Sequence, residues 1–353
     1  MKVLVGLSGG VDSAVTAALL KRRGCRVAGA TMSLWRDGRY RGGGKDACFG
    51  PGEKEDIEAA AEVSRILDIP HAVVDCSDAY ERMVVEHFRA GYRAGRTPNP
   101  CVRCNGAIKF GLLPRLAKKA GMDFEYFATG HYARLIPGTD RMRLHTGRDG
   151  GKDQAYFLYR LGQKQLRTAL MPLGEFGKHQ VRRMALEFGL PVHDRPDSQD
   201  FYSGDHRELL RAGGGRGRIV HASGRCLGRH EGVWNFTIGQ RKGLGVSHPT
   251  PLYVVEINPE RNEIVVGDAD AATSHALTAV DVNWVSIPPP ESEFTAGVKV
   301  RSSGRAVPCR VFPAVGGFHA DFPDGIFGVA PGQSAVLYQG DMVLGGGIID
   351  SAK

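Results

Sequence analysis

Two short stretches carry side chains whose types and spacing could do chemistry. Near the amino terminus the chain reads Gly6-Leu7-Ser8-Gly9-Gly10-Val11-Asp12-Ser13. Glycines let a backbone approach an anion closely, while Ser8, Ser13 and the free N–H groups of a helix start supply donors. The run is neither G-x-x-x-x-G-K-[ST] nor G-x-G-x-x-G, and the lysine of the Walker position is missing. It still reads as a phosphate loop, because a tight turn alone needs one glycine rather than two with flanking serines.

The second stretch is Gly95-Arg96-Thr97-Pro98-Asn99-Pro100-Cys101-Val102-Arg103-Cys104-Asn105, followed by Ile108-Lys109-Phe110. Pro98 and Pro100 stiffen the approach and are expected to fix Cys101 and Cys104 on a rigid turn. Arg96, Arg103 and Lys109 make the surroundings electropositive, which predicts lowered thiol pKa values and nucleophilic thiolates. The chain has 7 cysteines, an odd number and too few for a disulfide framework. The C-x-x-C pair therefore reads as redox or metal chemistry, and Cys25, Cys76, Cys226 and Cys309 as packing residues.

The elements that must position these stretches alternate. Lys2–Gly6 is a short β-branched run, and Val11, Ala14, Val15, Ala18 and Leu19 form one apolar helical face behind it. Basic residues Lys21, Arg22 and Arg23 followed by Gly24 stop that helix. Strands are expected at Val27–Leu34, Ala72–Val74 and Phe124–Thr129, with helices at Glu53–Leu67 and Tyr80–Ala94. This grammar predicts an α/β fold, a doubly wound parallel sheet covered on both faces. After about residue 205 it changes to short strands punctuated by Asn-Pro, Pro-Asp-Gly and Gly-Gly. The reading is an α/β domain over 1–205, a small β-rich module over 206–272 and a C-terminal β-barrel over 273–353, with Arg211–Arg218 as a glycine-rich hinge.

Composition bounds the function without choosing it. The 353 residues are 42% hydrophobic and 24% charged, which excludes a disordered or fibrous chain. A net charge of +8 permits a polyanionic partner without requiring one. No run approaches the ~18–20 apolar residues of a membrane-spanning helix, and no signal peptide is visible, so a cytoplasmic protein is expected.

The loop Ser-Gly-Gly-Val-Asp-Ser resembles the signature of the PP-loop (adenine nucleotide alpha hydrolase-like) ATP pyrophosphatases. That resemblance implies that Gly6, Leu7, Ser8, Gly9, Gly10, Val11, Asp12 and Ser13 grip ATP. It also implies that Asp12 helps hold Mg²⁺, that Met32 lies near the adenine, and that Gly130 of Ala128-Thr129-Gly130-His131 contacts the nucleotide. The cysteine stretch narrows the resemblance to the tRNA-specific 2-thiouridylases, which place sulfur on C2 of the wobble uridine. Further matches follow in order across the whole chain: Thr129–Arg134, Lys152–Leu158, Asp197-Ser198-Gln199, Phe236–Gly245 and Pro331–Val336.

By this resemblance Cys104 is the nucleophile that carries a persulfide, and Asn99-Pro100-Cys101 meets the target base in the anticodon region. His131, Lys152, Asp153, Gln154, Arg301, Ser302 and Gln333 fall on tRNA-contacting positions, although the family usually has an aromatic residue at Ser302. A persulfide donor protein is implied as partner. The chain departs from the family at Tyr202, where many members place a second catalytic cysteine in Asp-Ser-Gln-x-x-Cys. Cys101 occupies a position that is aspartate in some members, so the expectation is that it replaces the missing thiol and that Tyr202→Ala is mild. Alternatively, Cys101 and Cys104 ligate a [4Fe-4S] cluster with a third ligand, for which Cys48 is the candidate. A non-catalytic tRNA clamp and a PP-loop ligase acting on a small metabolite are further readings.

Overall fold

The computed structural model describes residues 1–43, 47–197, 200–210 and 215–353. Ser198 and Gln199 of the Asp-Ser-Gln motif, and positions 211–214 of the expected hinge, lie outside the described residues.

Five parallel strands form the first sheet, in the order His71–Asp75, Arg26–Ser33, Lys2–Gly6, Tyr126–Ala128, Ala169–Leu170. Val3, Leu4 and Val5 are all buried, as a central strand covered on both faces requires. The expected doubly wound parallel sheet is present. Its strand order reverses between Lys2–Gly6 and Tyr126–Ala128, the place where such sheets open a crevice at their carboxyl ends.

The helix Val11–Arg22 differs from its expected single apolar face, since Ser13, Thr16 and Ala17 are buried along with Val11, Ala14, Val15 and Ala18. Ala17 and Leu20 pack on the sheet with Val3 and Val5, while Val11, Val15 and Ala18 pack against Val181 and Ala185 of the helix Lys178–Glu187. Small side chains let it be sandwiched between those two layers.

The β-rich remainder contains two units. Gly217–His221, Cys226–His230, Tyr253–Asn258 and Glu263–Gly267 make a four-stranded sheet around Ile219, Val254, Ile264 and Val266. Six strands, Thr273–Asn283, Phe294–Lys299, Val307–Ala314, Gly317–Phe327, Ser334–Gln339 and Met342–Ala352, close into a barrel through pairing of the first with the last. The helix His206–Leu210 packs back onto the first unit, where the buried Arg89 donates from Nε to the Leu209 carbonyl at 2.7 Å.

One element escaped the sequence reading. Ala133–Pro137 and Met142–Thr146 form a hairpin that leaves the first unit and pairs with the barrel strand at Met342↔His145 and Val343↔Leu144. Asp341 pairs with Arg134 and with His145 at the same junction. The hairpin thus begins directly after Gly130-His131-Tyr132 and ends as an extra pair of barrel strands.

Ala47–Phe49 pairs in parallel with Asp200–Tyr202, bringing Phe49 opposite Tyr202. The Tyr202 ring is fully buried, 5.8 Å from Phe49 and 6.3 Å from Tyr40 between ring centres. Its hydroxyl is bonded to Glu208 and accepts from the Gly42 N–H at 3.3 Å. Tyr202 is therefore a core residue that anchors the chain before Cys48, and its removal is not mild for the fold. Tyr202→Ala is expected to cost roughly 3–5 kcal/mol, the range for emptying a buried aromatic site. Urea unfolding measures this; a change below about 1 kcal/mol would contradict the packing role.

Candidate functional site

Gly6 to Gly10 turn from the carboxyl end of the first strand into the helix Val11–Arg22. No side chain caps that helix, so its first N–H groups face the crevice as donors. Ser13 instead closes the loop on itself: its Oγ donates to the Gly10 carbonyl at 3.1 Å and accepts from the Ser8 N–H at 3.1 Å. Gly9 has φ +72°, and a Cβ there would sit 2.4 Å from the Asp56 carbonyl oxygen, so glycine is required twice over. Gly130 lies across the crevice, and a Cβ on it would come within 2.8 Å of the Ser13 nitrogen. The uncapped N–H groups and close backbone approach fit a pyrophosphate.

Charge is concentrated around this loop. Asp12 accepts from Lys178 Nζ at 2.8 Å on both oxygens and from the Tyr132 hydroxyl at 2.7 Å. Lys178 also pairs with Asp197 at 2.6 Å, and Lys152 reaches the other oxygen of Asp197 at 2.7 Å. Burial pushes the Asp197 carboxyl up, but the bonds from Lys152 and Lys178 outweigh it and hold it below the usual range. Arg195 donates to the Gly9 carbonyl at 2.8 Å and pairs with Asp56 at 2.9 Å. Asp12 is thus a carboxylate beside the phosphate loop whose oxygens are held by Lys178 and Tyr132. Met32 stands at the end of its strand, partly buried against the main core.

The cysteines lie on a helix rather than an isolated turn. Asn99 caps it by accepting the Val102 N–H at 3.2 Å, and Pro100 occupies its first position. The rod runs through Pro100–Arg103, a wide π-type segment Cys104–Leu112, and Leu113–Lys119. Segments of that type frequently mark functional sites. Asn-Pro ahead of the apolar run was the legible signal for this helix start. Cys101 and Cys104 pack beside the core that contains Phe49, Cys76, Tyr80 and Tyr202, and Cys76 directly follows the strand His71–Asp75. They therefore sit over the carboxyl edge of the same sheet that ends in the phosphate loop.

The expected thiolate environment is not what the structure holds. Burial pushes both thiols up to about 12, with Lys109 the main opposing charge. Arg96 and Arg103 are engaged elsewhere, Arg96 with the Ile349 carbonyl at 2.9 Å and Asp350 at 3.0 Å, and Arg103 with the Met83 carbonyl at 2.6 Å. Cys48 is exposed, its sulfur 3.8 Å from the Asp200 carbonyl. Among the described residues no three His, Cys, Asp or Glu side chains are gathered so as to hold a metal ion. The cysteines with Cys48 accordingly do not fit a cluster site in this arrangement.

Several residues expected at tRNA are occupied internally. His131 is buried, bonded through Nδ1 to the Thr129 hydroxyl at 2.8 Å, and burial holds its pKa well below the usual range. Asp153 accepts the Gly147 and Ala155 N–H groups at 3.0 and 3.1 Å, and Gln154 accepts the Tyr132 N–H at 3.0 Å. Arg301 donates to the Gly328 carbonyl at 3.0 Å, while Ser302 is exposed. Gln333 donates to the Thr97 carbonyl at 3.1 Å, and the Thr97 N–H reaches the Pro331 carbonyl at 2.8 Å. The barrel thereby buttresses the approach to the cysteines. The sequence reading missed Lys178, Tyr132 and Arg195 as site residues, because the contacts of Lys178 and Tyr132 with Asp12 and of Arg195 with Gly9 are tertiary.

The chain matches three consecutive family models: a tRNA methyl transferase HUP domain over residues 1–202, a tRNA methyl transferase PRC-barrel domain over 210–268 and an aminomethyltransferase beta-barrel domain over 274–349. It is 46% identical to the tRNA-specific 2-thiouridylase MnmA of Endomicrobium trichonymphae over 99% of both chains. Identity to the protein of the same name in Trichodesmium erythraeum is 44%, over 100% of this chain and 99% of that one. A 4-thiouridine synthetase–RNA complex with bound ATP aligns at a TM-score of 0.35 and 15% identity, over 59% of this chain and 45% of that one.

The buried thiols generate a direct prediction. In the free protein, alkylation of Cys104 by iodoacetamide should rise about tenfold per pH unit between about pH 7 and 10 without levelling, because only the thiolate reacts. Peptide mapping by mass spectrometry follows each cysteine separately. A plateau near pH 8 would show that the thiol is not held up by burial.

Proposed function

Since the chain belongs to the tRNA-specific 2-thiouridylase family, we propose that it uses ATP to replace the C2 oxygen of the wobble uridine of tRNA by sulfur. The observation that carries this reading is the placement of an uncapped phosphate loop and a C-x-x-C helix at one carboxyl edge of one sheet. No helix of the described residues is long and apolar enough to cross a membrane.

The C2 carbonyl lacks a leaving group, and adenylation supplies one. The uridine O2 attacks the α-phosphorus of ATP, pyrophosphate leaves, and the N–H groups at Gly9–Ser13 stabilise the charge that develops. Mg²⁺, when bound, neutralises phosphate charge, and Asp12 is the carboxylate that would hold it. The base must leave the anticodon stack to reach the site, which costs least in a loop.

Sulfur then comes from a persulfide on Cys104, loaded by a donor protein. Its terminal sulfur attacks C2 and AMP departs with the original oxygen, leaving a disulfide between tRNA and Cys104. Cys101 attacks the Cys104 sulfur, the S–S bond to tRNA breaks, and the thio-product leaves as the electrons of the Cys101 thiolate enter the new Cys101–Cys104 disulfide. An external thiol reduces that disulfide for the next cycle. The free thiols are protonated, so substrate docking or loading must supply the base or the charge that ionises them. Positions i and i+3 on a helix face one another, which makes closure of that disulfide accessible.

Of the residues expected at tRNA, Lys152 in the first unit and Ser302 in the barrel are exposed, which supports contacts spread over separate units of the chain. Binding to phosphates should weaken steeply with salt.

Single-turnover thiolation of tRNA transcript with ATP tests the scheme. Cys104→Ser should form no thiolated tRNA yet still release pyrophosphate. Cys101→Ser should trap tRNA on the protein as an adduct that dithiothreitol releases, seen as a slow band on a non-reducing gel. Full multiple-turnover activity in an iron-free Cys101→Ser variant would remove Cys101 from the mechanism. Iron that co-purifies, and is lost together with activity in each cysteine variant, would replace the scheme with cluster chemistry.

A further inference from the structure

The phosphate loop has no lysine in its own sequence, although a pyrophosphate brings several negative charges to it. Lys178 stands at the loop from elsewhere in the chain. Its side chain is only 11% exposed and its ammonium is within 2.8 Å of both oxygens of Asp12 and within 2.6 Å of Asp197. Asp12 is itself the second residue of the loop's helix.

The helix end by itself disfavours a lysine, and it is carboxylates from other elements that hold the ammonium there. Lys178 is the first residue of the ten-residue helix Lys178–Glu187, at the positive end of its dipole, and no acidic residue occupies that first turn. The two carboxylates that hold it come from other elements, Asp12 from the loop helix and Asp197 from the segment after the Lys178 helix. Its backbone N–H is taken by Asp149 at 3.0 Å, which fixes the root of the side chain. A lysine ammonium has three donors and a flexible four-carbon stem, so it can exchange partners without moving its helix.

We infer that Lys178 is the phosphate-binding cation of this site, supplied by a second helix start in place of the missing loop lysine and parked on Asp12 and Asp197 until nucleotide arrives. This rests on reading Gly6–Ser13 as the ATP loop. Binding of a cation by Asp12 removes one of the two carboxylates that hold the ammonium. Lys178 then turns to the phosphate oxygens, while Asp197 remains paired with Lys152. Asp197 also keeps Arg182 at 3.7 Å, so the ammonium is released from Asp12 into a basic cluster at the moment that anionic charge enters. No bond is made or broken in this exchange.

A bland alternative is that Lys178 only neutralises Asp12 and Asp197, and that its loss would repel nucleotide indirectly. Isothermal titration of the full chain with Mg²⁺-ATP, pyrophosphate and adenosine separates the two, using Lys178→Met, Lys178→Arg, Asp12→Asn and the double variant Asp12→Asn/Lys178→Met. Loss of a charge-assisted hydrogen bond predicts that Lys178→Met binds ATP and pyrophosphate about ten- to a hundredfold more weakly, with adenosine affinity unchanged. Lys178→Arg should recover most of the loss, and the double variant should bind pyrophosphate at least about tenfold more weakly than Asp12→Asn alone. If the double variant matches Asp12→Asn, the lysine is only a neutralising partner and the inference fails. Wild-type affinity in Lys178→Met would also overturn it while leaving the loop assignment standing. A wild-type chain that binds neither ATP nor pyrophosphate would instead overturn the loop reading itself. Unfolding midpoints verify that each variant is folded, and Lys178→Arg keeps the test open should the methionine variant not fold.

Discussion

An uncapped helix start, held open at the point where the strand order reverses, is the constraint on which the rest of the structure depends. The first N–H groups of Val11–Arg22 have no side-chain cap, and closing them with one would remove the donors that the proposed anion site needs. Keeping them open requires backbone on every side that a side chain would otherwise fill. Gly9 is pressed against Asp56, Gly130 against Asp12 and Ser13, and Arg195 ties the Gly9 carbonyl to the helix that carries Asp56. The stack of buried layers around Ala14, Val15, Ala17 and Ala18 keeps that helix from shifting toward its own loop.

The barrel is fastened to this site at two places. The hairpin Ala133–Thr146 leaves from Tyr132, whose hydroxyl bonds Asp12, and ends paired to the barrel strand Met342–Ala352. Pro331 and Gln333 bond both backbone groups of Thr97, on the approach to Asn99-Pro100-Cys101. Gly332 has φ +92°, and a Cβ there would come 3.0 Å from the Thr97 nitrogen, so the two backbones meet too closely for any side chain. A barrel placed this way is part of the frame that sets the phosphate loop and the thiol helix relative to one another.

Local pattern carried much of this and failed where long-range contact decides. The central strand and the glycine loop follow from a β-branched run and turn residues. The hairpin at Ala133–Thr146 did not, because its edge is completed by a strand some two hundred residues later, and nothing local marks that partner. Arg96 and Arg103 looked like activators of the cysteines from their spacing alone. Their actual partners, Asp350 and the Met83 carbonyl, are tertiary, and burial then dominates the thiols. Tyr202 read as a missing thiol, whereas its ring fills the aromatic cluster of Tyr40 and Phe49. Lys178 was invisible as a site residue because its partner Asp12 lies in the opposite half of the first unit and is reached only by packing of two helices.

The fate of the displaced oxygen distinguishes adenylation of the base from every other route, since only activation by ATP at the base sends that atom into AMP. tRNA carrying oxygen-18 at C2 of the wobble uridine, thiolated in a single turnover, gives AMP whose mass reports the route. Adenylation at O2 gives AMP with one oxygen-18 for every thiolated uridine. Unlabelled AMP, with the heavy oxygen released to water, would contradict it.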